Sequence, residues 1–202
     1  MFVLLTVPHA QGCDRLSSRH PCDTLAEGLA QYLQQSCSGN CEVLVGDIPR
    51  TVLDLNRKES RYTEYRQQIK KRIQYHMQRG EIVWVIDCHS FPQTYRWNQE
   101  QSTDFVILDT WLNNRPTVYV SQLTTFLQKQ QVDILQLQGA SPEDNDTNDI
   151  MDTSRQLGAY SFLLEVKEGL RRSRLQQISV LIIKWITEMT EMTESSYEHE
   201  HT

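Results

Sequence analysis

The chain has 202 residues, 39% of them apolar, enough for one domain that buries roughly two-thirds of its unfolded surface. Twenty Lys and Arg against 26 Asp and Glu leave a formal charge of −6. That balance offers no basic run for a phosphate backbone, which argues against nucleic-acid binding, and is too modest and mixed for a disordered chain.

Met1-Phe2-Val3-Leu4-Leu5-Thr6-Val7 has neither the basic start nor the small-residue cleavage site of a signal peptide, so Phe2–Val7 is expected to be the first strand. Thr24–Gln35 reads as a helix with Leu25, Leu29 and Leu33 four apart, and Cys41–Val45 as a second strand. Glu59–Arg79 is a longer helix with an apolar stripe of Tyr62, Tyr65, Ile69, Ile73 and Met77, closed by Gly80. Glu81–Cys88 is the strongest strand and is expected at the centre. Asp104–Asp109 and Thr117–Val120 are further strand candidates, with a short helix from Ser121 through Lys129 and a return to the sheet at Val132–Leu137. Ser141–Asp149 is a polar loop, Ile150–Leu157 a weak helix, Tyr160–Val166 a late strand and Leu170–Met189 an amphipathic final helix.

These alternating strands and helices predict an α/β fold, a single domain over 1–189. Residues 190–202 are polar and acidic and are expected to form a disordered tail. The longest nearly uncharged apolar stretch, Ile178–Ile186, includes Lys184 and falls short of the ~20 residues that cross a bilayer. No membrane partner is expected. The five cysteines (Cys13, Cys22, Cys37, Cys41, Cys88) are odd in number and lack Cys-x-x-Cys spacing, which favours reduced thiols in a cytoplasmic protein over a disulfide framework or a zinc ribbon.

Polar residues at the C-terminal ends of apolar strands carry the functional signal, because open α/β sheets bind their ligands there. His9 follows the first strand, with Asp14 across a glycine-containing turn; the two suit a metal, or equally a loop histidine and a capping carboxylate. Asp87-Cys88-His89 ends the central strand. Alternation puts Asp87 and His89 on one face and Cys88 on the other, so the pair suits a metal ligand with its orienting carboxylate, or a satisfied buried pair. Arg50 and Asp54-Leu55-Asn56-Arg57 offer donors for a small anionic substrate, or form an ordinary surface loop. Glu165, inside the apolar run Ser161–Val166, is either one half of a buried ion pair or a general base of raised pKa. His20 and Trp97 read as loop residues and His76 as a structural residue of the long helix; His199 and His201 lie in the tail.

In this order, His9, Asp-Leu-Asn-Arg, Asp-x-His-Ser and Glu165 resemble the N-formylglutamate amidohydrolase family and, more distantly, the zinc carboxypeptidase and aspartoacylase-like group, over about Phe2 to Gly169. The resemblance implies a zinc-carboxypeptidase-like (phosphorylase/hydrolase-like) fold, with a mixed central sheet flanked by helices, and a zinc-dependent amidohydrolase acting on a small molecule or short peptide with a free carboxylate. It implies His9, Asp14 and His89 as Zn2+ ligands and Glu165 as general base. Arg50 would polarise the scissile carbonyl, with Asn56 and Arg57 on the substrate carboxylate. The sequence departs from the group's His-x-x-Glu pattern, since Gly12 stands three residues after His9, and Asp23 and Asp47 are the alternatives to Asp14. A metallocarboxypeptidase acting on peptide C-termini, a catalytically silent binding relative and a cysteine hydrolase using Cys13 are the competing readings.

Overall fold

Strand β1 (Phe2–Val7) is buried along its whole length and anchors the sheet between two parallel neighbours, β2 (Cys41–Val45) and β3 (Val83–Phe91). The computed structural model describes residues 1–10, 23, 25–91, 103–109, 117–138 and 148–199. Strand β6 (Tyr160–Lys167) runs parallel to β3, while β4 (Phe105–Asp109) pairs antiparallel with β6 and parallel with β5 (Ile134–Gln138). The strand order is β2-β1-β3-β6-β4-β5, a six-stranded mixed sheet with the nine-residue β3 near its middle. Asp14, Cys13, Cys22, His20, Trp97 and most of the expected 141–149 loop lie outside the described residues.

The pleat sends alternate side chains to opposite faces, and each face has its own core. One face carries Val3, Leu5, Val7, Trp84, Ile86, Cys88, Phe162 and Leu164 beneath α1 (Ala26–Ser36), α3 (Val118–Lys129) and α5 (Arg172–His199). Trp84 is its hub, stacked on Tyr160 at 4.6 Å and edge-on to Trp185 at 5.7 Å, with Nε1 donating to Thr190. The other face packs Phe2, Leu4, Val83 and Val85 against Leu55, Tyr65, Ile69 and Ile73, under α2 (Glu64–Gln78) and α4 (Asp149–Gln156). Each fully buried Leu, Ile or Phe contributes roughly 1.5–3 kcal/mol, so two continuous cores hold the layers together.

Helix α2 starts where Thr63 accepts a hydrogen bond from the Arg66 N–H and stops at Gly80, whose φ of +74° suits a residue without Cβ. A 3-10 turn over Lys58–Tyr62 precedes it, so the expected helix from Glu59 breaks at Thr63. The expected strand at Thr117–Val120 is instead the start of α3: Val120, Leu123, Thr124 and Leu127 bury one helical stripe, which outweighs the strand preference of Thr, Val and Tyr. The last helix runs on to His199, ten residues past Met189, with Thr190 buried against Trp84 and Met1. Among the described residues no helix is long and apolar enough to cross a membrane. His76 is structural, stacked on Phe2 at 3.5 Å and bonded to Glu81 at 2.7 Å.

Candidate active site

The chain reverses its order between β1 and β3: β1 leads outward to β2, and β2 returns past β1 to β3. Strand ends at such a reversal open a crevice. Register sets what lies in it. Thr6 of β1 is paired with Asp87 of β3, and His89 with Glu165 of β6, so all four side chains project from the α2 face.

Asp87 is fully buried and held from three directions. Oδ1 accepts from Thr6 Oγ1 at 2.6 Å; Oδ2 accepts from Asn148 Nδ2 at 2.7 Å and lies 3.0 Å from His89 Nε2. Burial alone would raise its pKa, but His89 and these donors hold it below the usual carboxylate value. Asp23, just ahead of α1, brings Oδ2 to 2.7 Å from His89 Nδ1. Its place is fixed locally, since the Ala26 N–H donates to Asp23 O and the Leu25 N–H to Ser90 Oγ. Burial would favour neutral His89, yet the two flanking carboxylates raise its pKa well above that of a free imidazole. This spot is built to hold positive charge.

His9 is buried beside it, the two rings 5.2 Å apart. Its pKa is lowered, chiefly by burial, which keeps a nitrogen lone pair available at neutral pH. Asp54 Oδ1 lies 3.2 Å from His9 Nε2 and accepts from the Asn56 N–H, while Oδ2 faces Arg50 Nε at 3.6 Å and Arg57 Nε at 3.5 Å. Against its own burial, His9, the Asn56 N–H and Arg50 drive the Asp54 pKa far down. Asn56 is buried with its side-chain amide 2.8 Å from His89 Nε2, so it bears on the imidazole rather than on open crevice.

The 54–57 segment reaches the strand ends because Gly46 lets it pass: a Cβ there would sit 2.5 Å from Leu55 Cδ1 and 2.6 Å from Pro8 O. It is fastened below by Arg66, whose guanidinium donates to Leu55 O and to both the backbone and the carboxylate of Asp149, and by the Asp149 N–H donating to Asn56 O. Glu165 sits next to His89 in register and opposite Val106 of β4. Loss of water around it pushes its pKa up to about 7; His89 opposes that shift and Asp23 adds to it. A carboxyl balanced near neutrality both takes and gives a proton under working conditions.

Four expected residues therefore gather in one crevice (His9, Asn56, His89 and Glu165), with Arg50 and Arg57 at its side through Asp54. Thr6, Asp23, Asp54 and Asn148 complete it, and Asp149 fastens it from below. Of the alternatives for the acidic ligand, Asp23 touches His89 and Asp47 is exposed. Among the described residues no three His, Cys, Asp or Glu side chains form a finished metal-ligand cluster. The donors nonetheless match zinc in kind: two imidazoles, one kept neutral, a neighbouring carboxylate, and Asp87 behind His89 as a ligating histidine requires.

No protein-family model matches the chain, and no curated protein matches it by sequence. Solved structures share its fold. Gene product Atu2144 from Agrobacterium tumefaciens aligns with TM-score 0.73 at 17% identity, over 95% of this chain and 91% of that one. The cell shape determinant protein Csd4 from Helicobacter pylori, solved with bound product, aligns at 0.57 and 12% identity over 94% of this chain. A metallo-carboxypeptidase from Burkholderia cenocepacia aligns at 0.51 and 11% identity over 95% of this chain. The chain spans 51% of Csd4 and 57% of the carboxypeptidase. The fold is thus a single α/β domain of the metallo-carboxypeptidase-like kind.

Proposed function

We propose that the chain is a zinc-dependent amidohydrolase that cleaves the amide of a small carboxylate-bearing substrate, an N-acyl amino acid of the N-formylglutamate type. The observation that supports this most is the meeting of His9 and His89, 5.2 Å apart, with Glu165 in register beside His89. His9, His89 and Asp23 would hold the ion. When bound, it supplies a Lewis acid for the scissile carbonyl and lowers the pKa of water.

Every other role falls to the chain's own groups. Glu165, with a pKa of about 7, takes the proton of the attacking water and passes it to the leaving nitrogen. Arg50 and Arg57, partly exposed and each facing Asp54 through Nε, would offer their remaining N–H groups to the carbonyl oxygen and the substrate carboxylate. Asn56 and Asp87 fix the His89 ring.

Metal analysis of the purified protein, with hydrolysis assays on N-formyl, N-acetyl and N-succinyl amino acids, tests this reading. Expected are EDTA-sensitive turnover, loss of metal in His89→Ala, and a drop in kcat of roughly 10²–10⁴ with metal retained in Glu165→Gln. Turnover that survives both EDTA and Glu165→Gln would overturn it. A second reading, a metallocarboxypeptidase acting on peptide C-termini, draws on the fold shared with the Burkholderia enzyme. Short peptides added to the substrate panel separate the two.

A further inference from the structure

Helices α2 and α5 run in the same direction down opposite faces of the sheet and reach the same two strand starts. On one face His76, near the end of α2, stacks on Phe2 at 3.5 Å, and Gly80 turns the chain toward β3. On the other face Thr190 of α5 is buried, accepting from Trp84 Nε1 and lying 3.3 Å from Met1 Sδ. Phe2 and Val83 are register partners, so both helices meet the first residues of β1 and β3. Helix α2 ends there. Helix α5 continues through nine more residues to His199, about 14 Å past Thr190.

The two helix ends differ in charge. Residues 191–202 carry four Glu and no Lys or Arg, and Glu191 is exposed. Over 64–79 there are five Lys and Arg against Glu64 alone. Arg66 is buried, Arg72 is paired with Glu42 and Arg79 with Glu81. Lys70 and Lys71 are exposed and form no ion pair among the described residues. Each end also shows an apolar side chain to water: Tyr75, one turn after Lys71, is 55% exposed and Met192 is 57% exposed. An acidic helix end and a basic helix face, each with an exposed apolar side chain, complement one another.

We infer that the end of α5 docks along α2 of a second copy of this chain, in a two-fold dimer. A two-fold axis lying in the sheet plane and crossing the strand starts exchanges the two faces of the sheet. It sets the α5 extension of each copy antiparallel to α2 of the other, and both contacts form together. The assembly closes on itself, with no such face left over for a third copy. Helical stability comes mostly from packing one face, and α2 of the second copy supplies what the α5 extension packs against.

Sedimentation velocity on the 202-residue chain tests this, up to about 100 µM protein, in about 50 mM and about 500 mM NaCl. Expected is a dimer in low salt whose Kd rises roughly tenfold or more in high salt, where charge is screened. Glu191→Lys with Glu194→Lys, and Lys70→Glu with Lys71→Glu, each checked for native circular dichroism, should be monomeric at concentrations where the wild type is dimeric. The chain carrying all four changes should dimerise again, because every reversed extension then meets a reversed face. A wild type that stays monomeric in low salt leaves the α5 end to some other partner and overturns the proposal. So does a dimer that either pair of changes leaves intact, a fourfold variant that stays monomeric, or assembly beyond the dimer.

Discussion

Asp149 is the polar anchor under the crevice, and its removal has a worked consequence. The carboxylate is fully buried and accepts from Arg61 and Arg66; the Arg66 side chain is 3% exposed, that of Arg61 45%. The exposed arm contributes little, because water screens it. In Asp149→Asn the Arg66 guanidinium keeps the Leu55 and Asp149 carbonyls but loses its counter-charge in a dry site. Breaking such a buried pair on one side costs about 3–5 kcal/mol, or roughly 6–20 °C in Tm for a chain of this length. Urea unfolding followed by circular dichroism measures it. The pH dependence gives a second check. The folded pKa of Asp149 lies below its unfolded value, so the pair contributes in full above that value and fades as pH falls through the folded pKa. The gap between wild type and variant should hold steady from about pH 5 to 8 and shrink in acid. A gap below about 1 kcal/mol at pH 7, or one that widens on acidification, would refute the reasoning.

Glu165 should behave in the opposite sense. Its folded pKa is raised to about 7, so ionising it costs folding energy that appears as pH climbs above the unfolded value, reaching up to about 3 kcal/mol beyond pH 7. Metal-free Glu165→Gln is expected to match wild type near pH 4 and to be the more stable of the two at pH 8 in thermal melts; equal stability at both pH values would contradict this. Thr190→Val leaves the buried indole N–H of Trp84 without its acceptor and should lower stability by roughly 1–3 kcal/mol in urea titration, whereas a neutral result would separate the end of α5 from the core. Gly46→Ala forces a methyl against Leu55 and the Pro8 carbonyl. It should cost about 1–3 kcal/mol by the same titration and weaken zinc binding in calorimetry, since the 54–57 segment must withdraw.

The sheet was readable where burial is uniform. Phe2–Val7 passes unchanged from apolar run to strand because both its faces are covered; Cys41–Val45, half-buried at the sheet edge, does so because Gly39-Asn40 and Gly46 bound its β-branched and apolar residues. Asp-x-His could be assigned to one face by alternation alone, and Glu165 stood out as a charge in an apolar run. Asp23 was legible only as an alternative to Asp14, and Asp54 only as part of Asp-Leu-Asn-Arg; their contacts to His89 and His9 span 66 and 45 positions of chain, which no local pattern brings together. Asn148 caps α4 by accepting from the Met151 N–H, while its other end donates to Asp87, which no local pattern reveals. Asn56 suits an anionic ligand by residue type, and the structure adds what the sequence does not carry, that its amide nitrogen lies 2.8 Å from His89 Nε2. Thr117–Val120 misled because strand propensity is a statement about single residues, while the stripe continuing to Leu127 belongs to the helix as a whole.

Helix α1 has the crevice carboxylate Asp23 just before it and the turn into β2 just after it, with 11 residues, about 16 Å of rigid rod, between them. The rod ties the two ends of the strands together: Asp23 meets His89 at one end, and Cys41 opens β2 beside Val3 at the other, so a shift of α1 along its axis would move the carboxylate that faces His89.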